Sequence, residues 1–122
     1  MSNFIIQLKN VQPNDFNLLK WVLNDYAGSQ KTLAIIMPDT HSFMKDFSIT
    51  VELWYEFNKK TALQNPPAKS NLKLSLHKAL VLLDALHDFM KQRSSMEYEK
   101  SRCNRFAMAI DEQLPTKTQL IS

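Results

Sequence analysis

The sequence predicts a mainly α-helical fold, a compact bundle of about five helices that ends in a long antiparallel helix pair. Three observations carry this expectation. Gly28 is the only glycine in 122 residues, where average usage near 7% would supply about eight. Apolar residues recur at helical spacing from Leu72 to Met90 and again from Met96 to Leu114. Two adjacent prolines, Pro66 and Pro67, mark the interval 64–70 as an interhelix connection, since proline lacks the N–H a helix interior needs.

The elements follow in order. Phe4 to Leu8 is a short apolar run that fits a strand or a helix. Asn14 and Asp15, after Pro13, open a helix with Phe16, Leu19, Val22, Leu23 and Tyr26 on its inner face. Gly28 is expected to end it as a left-handed cap. Leu18 and Trp21 project away from that inner face and give the helix a second apolar side. Thr32 to Met37 reads as a short helix capped by Ser29 or as a buried strand.

The segment from Phe43 to Leu63 fits two templates. Alternation over 48–57 suits a strand, but a helix explains a longer stretch, with Phe43, Phe47, Val51, Trp54, Asn58 and Ala62 facing inward and Thr40 or Ser42 as cap. Ile49, Leu53 and Phe57 then form a separate apolar stripe. The alternative architecture is α+β, with a small sheet from 4–8, 32–37 and 48–57.

Beyond the prolines, Ser70 is expected to cap a helix carrying Leu72, Leu76, Ala79, Leu82, Leu83, Leu86, Phe89 and Met90 on one broad face. A last helix starts near Ser95, buries Met96, Cys103, Ala107, Ile110 and Leu114, and stops at Pro115. The length suits one domain spanning 1–122.

Composition narrows function more than it identifies it. Phosphate-cradling loops, dinucleotide fingerprints and nucleophile elbows are built on glycines, and none of those patterns can be written here. Cys103 is the only cysteine, which rules out an internal disulfide and a cysteine-built zinc site and fits the reducing cytoplasm. No stretch approaches the roughly twenty apolar residues of a membrane span. The expected chain is therefore not an enzyme, holds no cofactor or metal, and works by binding a partner.

Two partner classes have residues to support them. The first is a protein, another subunit or a second copy, held through Leu18, Trp21, Ile49, Leu53 and Phe57, the apolar residues left over once each helix has an inner face. The second is nucleic acid. Ten basic against four acidic side chains lie between Lys59 and Arg105, while residues 1–58 hold four lysines and six acids. Lys91, Arg93, Lys100, Arg102 and Arg105 are the candidate phosphate contacts of a small basic nucleoprotein subunit. His77, Asp84 and Asp88 share one polar stripe and, with His41, make the one constellation suited to acid–base work, though a solvated face explains them more simply.

Overall fold

A computed structural model describes residues 4–36 and 41–116, apart from the side chains of Ala34, His41, Ser42 and Phe43. Its order is β1 (Ile5–Val11), α1 (Pro13–Ile36), α2 (His41–Thr61), β2 (Ser70–Ser75), α3 (Leu76–Gln92) and α4 (Glu97–Gln113). The fold is mainly helical, with four helices and one two-stranded antiparallel sheet among the described residues.

The helix count falls short of five because α1 runs through Gly28 to Ile36. Gly28 does not have a positive φ and caps nothing. The capping candidate Thr40, and the side chain of Ser42, lie outside the described residues. The segment 32–37, read as a separate helix or strand, is the last turn and a half of α1 up to Ile36, and Met37 lies outside the described residues. Residues 48–57 belong to α2. Of the three candidate strands only the first exists, and it extends to Val11.

The second strand is β2, in a stretch whose periodicity looked helical. Leu72 and Leu74 are buried while Asn71, Lys73 and Ser75 are exposed, a period of two that antiparallel pairing with β1 satisfies. Ile6 faces Leu74 and Leu8 faces Leu72. Asn10 adopts a left-handed φ of 58° at a bulge between Leu8 and Val11. The extra residue returns Val11, rather than Asn10, to the buried face. Ser75, not Ser70, caps α3, and its hydroxyl accepts from the Lys78 N–H.

The α1–α2 hairpin packs across α3, and α3 with α4 forms the expected C-terminal pair, which also carries the sheet. One apolar cluster joins β1, β2 and all four helices, with Leu19, Leu23, Leu53, Phe57, Leu82, Leu86, Phe89, Phe106 and Ile110 among its most buried members. Gln12 accepts the first helical hydrogen bond of α1, and Asp15 reaches back to the Gln12 N–H at 2.9 Å, so the expected opening of this helix is made by a carboxylate near its N-terminus.

Candidate interaction surfaces

The five apolar residues expected at an interface do not form an exposed face. Leu53 and Phe57 are fully buried, Leu18 nearly so, and Trp21 and Ile49 pack half-buried against the core. Trp21 meets Phe89 edge-on at 5.1 Å, with the Arg93 guanidinium 4.7 Å over its indole ring. Phe57 meets Phe16 at 5.7 Å. The stripes of α2 are exchanged relative to expectation: Ile49, Leu53 and Phe57 turn inward, while Phe47, Val51, Trp54 and Tyr55 line an open cleft of about 440 Å³ against Leu23, Ala27, Gly28 and Lys31 of α1. The physical reason is that the hairpin lies over α3, so its helices bury flanks that a two-helix contact alone would leave free.

The basic residues are divided. Arg102 donates from Nε at 3.0 Å to Asp15 Oδ1 and from Nη2 at 2.6 Å to Asp15 Oδ2, a forked pair joining α4 to the start of α1. The Asp15 carboxylate in turn raises the Arg102 pKa. Arg93 donates to Asp25 at 2.7 Å. Arg105 lies 5.4 Å over the Phe106 ring and donates to the Lys9 carbonyl at 3.4 Å. Lys91 and Lys100 are exposed. Two of the five candidate phosphate contacts, Arg93 and Arg102, are thus committed to internal carboxylates, and the cluster is not a uniform basic face.

The acid–base candidates have partners of their own. His77 lies 3.8 Å from Asp46, and Asp88 accepts from Gln92 at 3.0 Å. The side chain of His41 lies outside the described residues. Desolvation, with the neighbouring Asp46 charge, raises the Asp84 pKa. Burial, reinforced by Asp84, Asp46 and Asp88, pushes the Tyr26 phenol up to about 12. Asp84, Asp46 and Asp88 thus act together on a phenol that stays protonated at neutral pH. Among the described residues no group of three His, Cys, Asp or Glu side chains is placed to hold a metal ion. Cys103 is buried, and desolvation followed by the Glu99 charge pushes its thiol to about 12, so it packs as an apolar residue.

Two surfaces escaped the sequence reading. One is the end of the α1–α2 hairpin, where Leu33, Ile35, Ile36 and Met44 are 41%, 83%, 69% and 60% exposed. The signal was present in Ile35 and Ile36, two large apolar residues at the end of a helix. Close by in sequence, Gln30 is buried with neither atom of its carboxamide hydrogen-bonded. The other surface is the outer edge of β1, where a groove of about 580 Å³ runs beside α4. Nothing in the periodicity announces it, because an edge is a property of strand order. No helix among the described residues is long and apolar enough to cross a membrane. No family model matches this chain, and neither does any curated protein or solved structure.

Proposed function

We propose that this protein is a non-enzymatic interaction or assembly subunit, and that it holds a partner protein through the apolar end of the α1–α2 hairpin. The observation that supports this reading is the group Leu33, Ile35, Ile36 and Met44, large exposed side chains on two helix ends joined by only residues 37–40. Single exposed apolar residues are ordinary, but a concentration at one tip marks a surface that association would remove from water. Each such side chain contributes roughly 1.5–3 kcal/mol of transfer free energy when fully buried, before the costs of association. The nucleic-acid reading has less support, since Arg93 and Arg102 already serve Asp25 and Asp15.

The test compares the full chain with a triple variant, Leu33→Ser, Ile35→Ser and Ile36→Ser, by light scattering and affinity capture. The expected result is an associated species in the parent that the variant loses, with the helical circular dichroism unchanged. A monomer that captures nothing, or association that the variant leaves intact, overturns the reading.

A further inference from the structure

β1 has β2 on one side, and its other edge looks toward α4. The main-chain groups of Gln7 point to that outer edge and are both taken by one side chain. The Gln7 N–H donates to Gln113 Oε1 at 2.8 Å, and Gln113 Nε2 donates to the Gln7 carbonyl at 2.7 Å. A primary carboxamide carries the same donor and acceptor as a peptide group. Gln113 therefore stands where one residue of a further strand would stand. Two residues along β1, on the same edge by strand alternation, the Lys9 carbonyl accepts from Arg105.

These contacts cross a groove open to solvent, with β1 as one wall and α4 as the other. The small side chain of Ala109 forms part of the helical wall. We propose that this groove is a docking site for an extended, acidic peptide segment of a partner protein, which adds to β1 as a third strand and displaces the Gln113 carboxamide. Exchange of one amide for another conserves the two hydrogen bonds at Gln7, so the plug is released at little cost. The gain comes from main-chain pairing along Ile5 to Lys9 and from covering Ile5, which is half exposed.

Charge selects the occupant. Lys9 and Arg105 lie together at one end of the groove. Glu112 is the one acidic residue lining the groove. A segment with Asp or Glu beside Lys9 and an apolar residue beside Ile5 satisfies this arrangement, and a basic segment does not. The inference rests on the interaction reading only in taking the partner to be a protein; it uses a different surface from the hairpin tip.

The experiment screens a display library of random eight-residue peptides against the full chain, then follows the enriched peptide by fluorescence anisotropy and amide hydrogen exchange. Gln7→Pro removes an N–H that the β1–β2 ladder does not use, and Gln113→Ala removes the plug. The expected outcome is enrichment of peptides with an acidic residue two to four positions from an apolar one, and slowed exchange at Ile5, Gln7 and Lys9. Gln7→Pro should weaken binding about tenfold or more, Gln113→Ala should bind at least as tightly as the parent, and the hairpin-tip triple variant should bind normally. No enrichment, enrichment of basic peptides, or unchanged exchange at those three amides overturns the proposal, even if Gln7→Pro fails to fold. Self-association that Gln7→Pro abolishes, without peptide binding, assigns the edge to a second copy and equally overturns it.

Discussion

α1 is one continuous helix with two kinds of surrounding. From Asp15 to Leu23 it is held on several sides: Asp15 by Arg102 of α4, Trp21 by Phe89 of α3, Phe16 by Phe57 of α2. Beyond Gly28 its large side chains face water, and the one buried polar side chain, Gln30, lacks a hydrogen-bond partner. Helical geometry is the same in both halves, so it is packing that separates them. The first half is organised for stability, whereas the second tolerates a mid-helix glycine, an unsatisfied amide and exposed isoleucines, features that each cost the isolated chain something.

The comparison breaks if both halves respond alike to truncation. Leu19→Ala, at a fully buried site, should lower stability by about 2–5 kcal/mol in urea unfolding, and Ile35→Ala should change it by less than about 0.5 kcal/mol. Similar losses at the two positions would mean that the distal end is covered. A sharper probe is Gln30→Met, which keeps the length and helix propensity of the side chain while removing the unsatisfied amide. It should raise stability by roughly 1 kcal/mol or more, and a loss would show that the amide has found a partner in solution. The smallest expected effect is at Gly28, where an added Cβ meets nothing within 4 Å. Gly28→Ala should stabilise by about 0.5–1 kcal/mol through helix propensity alone, and destabilisation would place a neighbouring chain against that position.

The sequence was readable where one physical demand dominates. The apolar arc of α3 from Leu76 onward and the α4 stripe through Cys103 and Ile110 appear where periodicity puts them, whereas the proline-bearing stretch expected to join two helices leads from α2 into β2. It misled where two demands coincide. Leu72, Leu74 and Leu76 satisfy a strand running into a helix as well as a longer helix, and a serine stands ready to cap at either start. Gly28 has the chemistry of a helix stop, yet the flanking residues keep the helix intact on both sides of it. The proposed interface of Leu18, Trp21, Ile49, Leu53 and Phe57 rested on counting faces, and a helix packed on three sides has no spare face to count. The surfaces that remain open depend on which elements end up adjacent, information that single-helix periodicity does not hold.

The clasp between Gln7 and Gln113 has a consequence for biosynthesis. It joins residues 106 positions apart, and β1 must also wait for β2, whose first residue pairs with Val11 across the whole of α1 and α2. While the ribosome is still making α2, Ile6, Leu8 and Val11 have neither their strand partner nor the α4 wall. The α1–α2 hairpin, by contrast, closes through neighbours in sequence and can form early. A nascent chain therefore carries an unpaired apolar strand until β2 and α4 have followed it, and truncation before those elements would leave that strand open to aggregation.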